Sequence, residues 1–468
     1  MGECIAKSLE ENVNYLNERL KTDKNFDILY HSFKMGDKQG CYYFIDGFCK
    51  DEIMQKLSEF FMKMKDEETP GNAYECIKKS LPYPEVSKGR KWDEIIIQIL
   101  SGVIVLFLDG QEECVYIDAR TYPARNVEQP DKEKTLRGSR DGFVETVVCN
   151  TALIRRRIRD NRLIMEMTRA GNVSQTDIAV CYMEDRVNRK FLNEVMEKIQ
   201  SIQAEAMTVN QESLAECLYQ RKWYDPFPKF RYTERPDTAA AQLLEGNIVI
   251  FTDNSPFAMI LPTGLFDIME EVDDYYFPPI TGTYLRISRM LISIASYLIT
   301  PLFLLLMMYP EWIPESFSFI QVKEEIHLPL IWQFLVLELA IDGLKLAAVN
   351  SPNMLTTPLS VLAALILGEF SVKSGWFNAE VMLYMAFVAV ATYTQTSYEY
   401  GYAVKFLRMI SLILTSVFGI TGFAAGLILY LFAMVLNRTV SGEYYLSPLI
   451  PFHGKELYRR IVRTQDKN

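Results

Sequence analysis

Apolar residues follow two different patterns along the chain, and the pattern changes near residue 286. Before that position, short apolar runs alternate with polar segments, which is typical of strands and helices in a globular fold. Between residues 287 and 436, longer apolar segments recur with few charges. A helix needs about 20 apolar residues to cross the hydrocarbon core of a bilayer. The pattern predicts an α/β cytoplasmic region of two similar subdomains, followed by an α-helical multi-pass membrane domain.

The α/β region contains an internal repeat. Residues 100–109 and 244–253 align without gaps at a separation of 144 residues and share six of ten positions. A looser similarity links residues 41–46 and the following helix to 180–185 and its following helix. Short apolar runs also coincide by chance, but the similar flanking order favours a duplication.

Domain boundaries follow from this repeat and from the onset of the apolar segments. The predicted domains are an N-terminal helical segment, a first α/β subdomain, an inter-lobe linker with a helix, a second α/β subdomain, the membrane domain and a C-terminal tail: 1–24, 25–135, 136–159, 160–285, 286–437 and 438–468. Within the first subdomain, residue patterns predict strands at 25–30 and 40–46 and helices at 50–64 and 92–100. Asp109-Gly110 separates two apolar runs, as in a hairpin turn.

The membrane domain contains about five apolar segments: 287–309, 328–349, 354–372, 379–397 and 403–436. Arg286 and Arg289 precede the first segment, whereas the connection after it carries four glutamates and one lysine. Because cationic residues favour the cytoplasmic side, the N-terminal region is predicted to be cytoplasmic. The tail over 438–468, which carries six Lys and Arg residues, is predicted to be cytoplasmic too.

Two cytoplasmic ends require an even number of crossings, whereas five segments give an odd number. The segment 328–349 carries charges near its centre, which predicts two half-helices, re-entrant or broken at Asp342-Gly343. The alternative is that 403–436, which exceeds one span and contains three glycines, forms two crossings. Because such glycines more often mark tight helix packing, the broken helix is favoured.

The charges in 328–349 form a predicted intramembrane cluster of Glu338, Asp342 and Lys345. Glu338 and Asp342 share a helical face by their i,i+4 spacing, and Lys345 is placed to pair with Asp342. A charge at the centre of a membrane helix costs about 2.5–3.5 kcal/mol on insertion scales. We therefore expect these side chains to face protein or water.

Net charge separates the two regions and excludes some functions. Residues 1–285 have a net charge of −11, and residues from 286 onward have +1. Nucleic-acid binding would need a clustered basic surface, so no nucleic-acid partner is expected. Paired acids such as Asp273-Asp274 are interpreted as solvated surface.

The sequence indicates no catalytic, metal or cofactor site. All eight cysteines precede residue 286 at spacings that match no zinc or redox motif, and the three histidines are scattered. Buried free thiols in a reducing cytosol are the expected state. Neither a P-loop, a dinucleotide-binding motif nor a recognisable nucleophile context occurs in the sequence. We therefore expect no enzymatic activity.

Two short motifs remain to be explained. Arg137, Gly138 and Arg140 lie between the subdomains, where glycines and arginines could bind an anion. The alternative, which we favour, is a hinge with salt bridges. The second motif is Glu234-Arg-Pro-Asp237, in which Asp237 or Thr238 is predicted to cap a helix over 238–244.

Several strings of residues carry a resemblance to a known family. Glu234-Arg-Pro-Asp237, residues 245–250 and Asp274-Tyr-Tyr resemble the GerA family of spore germinant-receptor A subunits. Longer strings resemble the stage V sporulation protein AF branch of that family: residues 44–51, 137–146, 338–344 and 367–376. The resemblance runs nearly end to end.

The resemblance implies a multi-pass protein of the spore inner membrane that acts in germination. It further implies that copies of the chain form a ring whose membrane helices enclose a cation-conducting path. The expected partners are therefore membrane lipid, further copies of the same chain and other germination membrane proteins. No cofactor is implied.

With a channel implied, one segment is a candidate for its lining. In 354–372, small and hydroxylated residues form a stripe at helical spacing that ends in a carboxylate: Thr357, Ser360, Ala364, Gly368 and Glu369. Val361 of the same segment is a further candidate, and the alternative lining consists of polar residues in the next segment, Thr392, Thr394, Gln395 and Thr396. Such residues suit a narrow conduit, and a ring of Glu369 would favour cations. The same stripe is also how membrane helices pack against each other.

Two other functions stay open. A transporter would use the broken helix and the charge cluster as a site at the membrane midplane. A non-conducting scaffold would assemble other germination proteins through its acidic cytoplasmic region.

Overall fold

The computed structural model of the chain describes residues 3–35, 38–49, 51–63, 74, 78, 85–121, 138–207, 210–350 and 368–463. The chain forms two compact units. The first comprises Met1–Arg221 and Phe230–Pro262, and the second comprises Lys222–Lys229 and Thr263–Asn468. The second unit begins before the predicted boundary at residue 285, because Leu265, Ile268 and Met269 share a core with the helices that follow.

The first sheet of the first unit has five strands. Its elements are α1 (Leu9–Leu20), β1 (Ile28–Met35), β2 (Lys38–Ile45), α2 (Asp51–Lys63), β3 (Val86–Gly89), α3 (Trp92–Leu100), β4 (Ile104–Leu108) and β5 (Cys114–Ile117). The strands lie in the order β1-β2-β4-β5-β3, and all pairs are antiparallel. Alternate residues point to opposite faces, so one face packs against α1 and α3 and the other against α2. The predicted hairpin turn is confirmed, with Gly110 at a φ of 80°.

The second sheet repeats this arrangement. Its elements are α4 (Val147–Arg157), β6 (Leu163–Ala170), β7 (Thr176–Met183), α5 (Arg189–Gln200), α6 (Asn210–Leu218), β8 (Arg231–Thr233), α7 (Pro236–Glu245), β9 (Ile248–Thr252) and β10 (Ala258–Leu261). The order β6-β7-β9-β10-β8 is that of the first sheet, again antiparallel. β9 and β10 begin 144 residues after β4 and β5, the separation of the sequence repeat. The similar topology predicted from the sequence is therefore present, although the strands are antiparallel rather than parallel as in α/β folds.

A buried ion pair joins the two repeats. Arg155 of α4 donates from Nε to Oδ2 of Asp27 at 2.7 Å and from Nη2 to Oδ1 at 3.1 Å. Its Nη1 donates to the carbonyl of Leu163 at 3.2 Å. Neither charged side chain is more than 1% exposed. Because both are removed from water, each depends on the other for compensation.

The second unit is helical. In the described part of the chain, its α-helices of at least four residues are α8 (Leu265–Met269), α9 (Asp273–Tyr276), α10 (Pro279–Met308), α11 (Leu330–Asn350), α12 (Ala379–Tyr393), α13 (Tyr398–Phe418), α14 (Ile420–Val435) and α15 (Gly454–Ile461). Shorter or 3-10 helical segments lie at Pro310–Trp312, Glu315–Ile320 and Ser371–Lys373. Among the described residues, α10 and α13 are long and apolar enough to cross a membrane. α12 and α14 are apolar but shorter.

The structure differs from two predictions about these helices. α11 continues without interruption through Asp342 and Gly343, so the predicted break is wrong. The break lies instead within 403–436, where Gly419 at a φ of 58° ends α13. α14 then runs antiparallel to α13. The two helices pack closely, with Gly422 against Leu414 and Gly426 against Ser411. The segment 403–436 therefore contains two helices, as the alternative of two crossings requires, and the crossings themselves stay a prediction.

Candidate functional site

The charged residues of α11 lie inside the helical unit. Glu338 and Asp342 are one helical turn apart, and Glu338 is only 2% exposed. Ions buried in this way are stable only when they are paired and hydrogen-bonded. Each of these carboxylates therefore requires a cationic or hydrogen-bonding partner.

Both carboxylates contact cations of α13. Arg408 donates from Nε to Oε1 of Glu338 at 3.0 Å and from Nη2 to the same oxygen. Lys405 places Nζ 3.3 Å from Oε2 of Glu338 and also contacts Oδ2 of Asp342. These four side chains, two anions and two cations, form what we call the α11–α13 cluster.

The α11–α13 cluster also connects to α10. Arg408 donates from Nη1 to the carbonyl oxygen of Ser296 at 3.0 Å. Arg408 follows the start of α13 by ten residues, which corresponds to about 15 Å along the helix axis and places it near the middle. A neutral group of four charges thus fixes three helices to one another halfway along α13.

Only part of this cluster was predicted. Lys345 does not serve as the partner of Asp342, since Lys405 occupies that role and the ammonium of Lys345 lies over the rings of Tyr393 and Tyr402, at 5.3 and 5.6 Å. Lys405 and Arg408 were missed. Their signal was present, because two cations three residues apart within the apolar segment 403–436 require anionic partners.

Most of the predicted pore lining lies outside the described residues. That holds for Thr357, Ser360, Val361 and Ala364. Gly368 is half-buried, yet among the described residues no atom lies within 4 Å of a Cβ added to it. Glu369 is exposed and pairs with Lys373 at 2.5 Å. No tight helix contact within the described part of the chain accounts for Gly368.

A second buried network lies at the start of α10. Arg289 donates to both oxygens of Asp274 at 3.1 Å and to Glu271 at 2.6 Å. Arg286 contacts Glu270 at 3.2 Å and Asp274 at 3.4 Å. Asp274 is fully buried, so its interpretation as solvated surface is wrong. The charges of Arg286 and Arg289, from which the membrane orientation was predicted, are therefore compensated by these acids.

Burial also affects titration in this network. The pKa of Glu271 lies above its ordinary value because burial disfavours the carboxylate, an effect that Arg289 opposes. Burial, and next the charge of Glu270, raise the pKa of Tyr275. Both groups are therefore stabilised in their protonated forms relative to water.

The loop between the two sheets is held by ion pairs. Arg157 donates to Asp141 at 2.7 and 2.8 Å, and Arg235 donates to the carbonyl of Ser139 at 3.1 Å. Burial raises the pKa of Asp141, but hydrogen bonds from Ser139 and Arg157 outweigh it and hold the pKa below its ordinary value. Gly138 has a φ of 112°, which favours glycine.

These contacts favour the hinge over the anion site. Arg140 is exposed, and Arg137 lies outside the described residues. The loop instead meets the Glu234-Arg-Pro-Asp237 motif, where Asp237 accepts from Arg235 at 3.0 Å. α7 begins at Pro236 with Arg235 in the N-cap position, so neither Asp237 nor Thr238 is the N-cap residue. Oδ1 of Asp237 nevertheless accepts from the backbone N–H of Thr238 at 2.9 Å, in addition to its bond from Arg235.

The thiols near the sheets are poor nucleophiles. Burial raises the pKa of Cys41 and Cys114 to about 12 and that of Cys49 to about 11. Only the thiolate is strongly nucleophilic. These cysteines therefore act as small apolar residues of the core.

Comparison with known proteins gives relatives along the whole chain. Stage V sporulation protein AF of Bacillus subtilis (strain 168) is 36% identical over 98% of this chain and 93% of its own length. The uncharacterized membrane protein YfkQ of the same organism is 30% identical over 98% of this chain and 90% of its own. A crystal structure of the N-terminal domain of the A subunit of the Bacillus megaterium spore germinant receptor GerK3 matches with a TM-score of 0.44 and 26% identity, over 56% of this chain and 97% of that one.

The model of one protein family covers almost the complete chain. Residues 14–467 match the family described as Bacillus/Clostridium GerA spore germination protein. The resemblance stated from the sequence is thereby confirmed. The chain belongs to the GerA family of spore germination proteins.

Proposed function

We propose that the chain is a multi-pass protein of the spore inner membrane and that copies of it assemble into a ring that conducts cations during germination. Family membership and the relative named as a membrane protein support the membrane role. The proposal includes no enzymatic activity and no cofactor. Its expected partners are lipid, further copies of the chain and other germination membrane proteins.

An even number of apolar segments is consistent with this topology. With 403–436 divided into α13 and α14, the apolar segments are α10, α11, 354–372, α12, α13 and α14, which makes six. The backbone N–H of Arg463 in the tail donates to the hydroxyl of Thr283, 3.1 Å away near the start of α10. The chain therefore leaves the helices at the end where it entered, consistent with a cytoplasmic N-terminal region and tail.

The observation that carries the choice of a channel is the pairing within the α11–α13 cluster. A transporter of the kind considered from the sequence needs a broken helix with carboxylates ready to bind a substrate. Here α11 is continuous, and Glu338 and Asp342 already contact Lys405 and Arg408. The cluster is thus suited to holding helices together, which leaves conduction to 354–372 and Glu369.

Ion flux from liposomes that contain the purified full chain tests the proposal. Potassium flux is compared for wild type, Ala364→Trp and Glu338→Gln. Leu383→Trp is the matched control, since it adds the same ring at a position of α12 that is 67% exposed. We expect Ala364→Trp to reduce flux at least tenfold, and Leu383→Trp and Glu338→Gln to retain most of it.

Other outcomes would favour the other functions. Flux that is lost with Glu338→Gln, although the variant inserts and keeps the helix content of the wild type, and that is insensitive to Ala364→Trp would indicate a transporter. The absence of flux from a correctly inserted protein would favour a scaffold. The mass of the purified particle in detergent tests the ring directly, because a monomer would contradict it.

A further inference from the structure

The C-terminal helix α15 has one docked face and one exposed face. On the docked face, Arg460 contacts Asp267 at 2.9 Å and Glu270 at 3.3 Å. On the other face, Lys455, Tyr458 and Arg459 are all exposed and lie at i, i+3 and i+4, so they share a surface. Phe452, one turn earlier in the chain, is 73% exposed.

Contacts with α10 fix the level of α15 along that helix. Arg286 donates from Nη1 to the carbonyl oxygens of Arg459 and Arg460, at 3.4 and 3.2 Å. α10 has 30 residues and is therefore about 45 Å long, whereas the hydrocarbon core of a bilayer is about 30 Å thick. With the apolar stretch from Ile287 in the hydrocarbon, Arg286 and α15 lie at the level of the headgroups.

A second exposed group lies at the same end of the helices. Trp223 is 96% exposed and Tyr224 is 63% exposed. Their segment is anchored by Phe227, which is buried in the helical core, and by Lys229, which donates to the carbonyl of Arg438 at 2.9 Å. Arg438 lies three residues after α14 ends at Val435, so Phe227 and Lys229 are held at this end of the helices, and Trp223 precedes Phe227 by four residues.

We propose that these two groups form a surface that binds the headgroups of anionic phospholipid. The headgroup surface comprises Lys222, Trp223, Tyr224, Phe452, Lys455, Tyr458 and Arg459. Tryptophan and tyrosine concentrate at membrane–water interfaces, where an apolar ring and a polar edge are both satisfied. Lysine and arginine close to that interface are attracted to anionic lipid.

Charge complementarity selects lipid over a protein partner. Residues 438–468 carry six Lys and Arg against three Asp and Glu, a net of +3. On α15 itself, Glu456 is the one acid, and the stripe of Lys455, Tyr458 and Arg459 does not include it. The lipid interface would also accommodate the exposed rings of Trp223 and Tyr224, which are of the residue types that concentrate there.

This inference rests on the proposed membrane topology but not on ion conduction. Extraction of reconstituted vesicles with alkaline carbonate distinguishes failure of the proposed topology from failure of the headgroup surface. Release of the protein would overturn the topology and, with it, the headgroup surface. Retention of the protein in the membrane, without the quenching by brominated phospholipid that is described next, would overturn the headgroup surface alone.

Fluorescence quenching by brominated phospholipid tests the surface in the full chain. The protein is reconstituted in phosphatidylcholine with an increasing share of phosphatidylglycerol, and either lipid is brominated in turn. The difference between wild type and Trp223→Phe isolates the emission of Trp223. A Tyr458→Trp change in the Trp223→Phe background places the same probe on α15.

We expect both probes to be quenched, more strongly by phosphatidylglycerol. Lys455→Gln/Arg459→Gln should lower the preference of the α15 probe for phosphatidylglycerol by roughly fivefold for each cation removed, from about 1 kcal/mol per Lys or Arg. The matched control is Lys91→Gln/Lys190→Gln, which removes the same charge from exposed positions of the first unit. It should leave the preference unchanged.

Three results would overturn the proposal. The first is that brominated lipid quenches neither probe. If both probes are then also shielded from aqueous acrylamide, a protein partner covers this surface instead of lipid. The second is equal quenching by the two lipids. The third is an equal loss of preference in the control variant.

Discussion

Removal of Arg408 is the sharpest perturbation of the α11–α13 cluster. In Arg408→Met, Oε1 of Glu338 loses both guanidinium donors and the carbonyl of Ser296 loses its bond of 3.0 Å. The carboxylate side chain is only 3% exposed, so water does not replace them. Breaking a buried ion pair by removing one partner costs about 3–5 kcal/mol. Because Lys405 remains 3.3 Å from Oε2, we expect the lower end of this range, about 3 kcal/mol.

Amide hydrogen exchange of the full chain in lipid nanodiscs measures this cost locally. A loss of about 3 kcal/mol should accelerate exchange roughly 100-fold for amides of α11 and α13 that open together. The double variant Glu338→Gln/Arg408→Met should recover most of the protection, since it leaves no unpaired buried charge. Lys405→Met should cost less than Arg408→Met, because the side chain of Asp342 is 27% exposed.

Two results would refute this reasoning. Acceleration below tenfold in Arg408→Met would mean that Glu338 is hydrated or protonated without its partner. A double variant as unprotected as the single variant would mean that Arg408 acts through packing and not through its charge.

Three further predictions concern stability. Asp27→Leu should destabilise the first unit by about 3–5 kcal/mol in urea unfolding, because Arg155 is left buried and unpaired, and a cost below 1 kcal/mol would contradict the assigned pair. The pKa of Asp141 is lower in the folded chain than its ordinary 3.8, so the Asp141–Arg157 ion pair stabilises the fold above that pH, and this stabilisation is lost as the pH falls below it. In Arg157→Gln, the pH dependence of acid unfolding should therefore no longer contain the contribution of Asp141. Gly422→Ala should destabilise the α13–α14 pair in thermal unfolding by at least 1 kcal/mol, because the added Cβ would overlap a backbone carbonyl of α13 and force a shift. The same change at Gly343, where no described atom lies within 4 Å of the added Cβ, should be tolerated.

Local sequence determined the order and type of the elements of the first unit. The predicted helix at 92–100 coincides with α3, and the repeat at 144 residues places β4 and β9 in equivalent positions. Such features depend on the alternation of apolar residues and on turn residues such as Gly110, which act over a few positions. The family could likewise be identified from contiguous strings.

Tertiary structure decided which distant residues meet. Glu338 is 70 residues from Arg408, and Asp27 is 128 residues from Arg155. Spacing along one helix suggested Lys345 as a partner, but the geometry of α13 supplied Lys405 instead. Pairing of this kind depends on how whole helices pack, which no local pattern contains.

The same distinction applies to burial and to helix ends. Asp274 looks like a surface residue in its acidic context, yet two arginines of α10 surround it in the fold. The glycines of 403–436 were assigned to packing, and Gly422 and Gly426 do pack against α13, whereas Gly419 ends a helix. Composition alone determined that this segment was apolar and glycine-rich. Only the folded chain decided which glycine adopts a positive φ, because that choice depends on where the two helices come into contact.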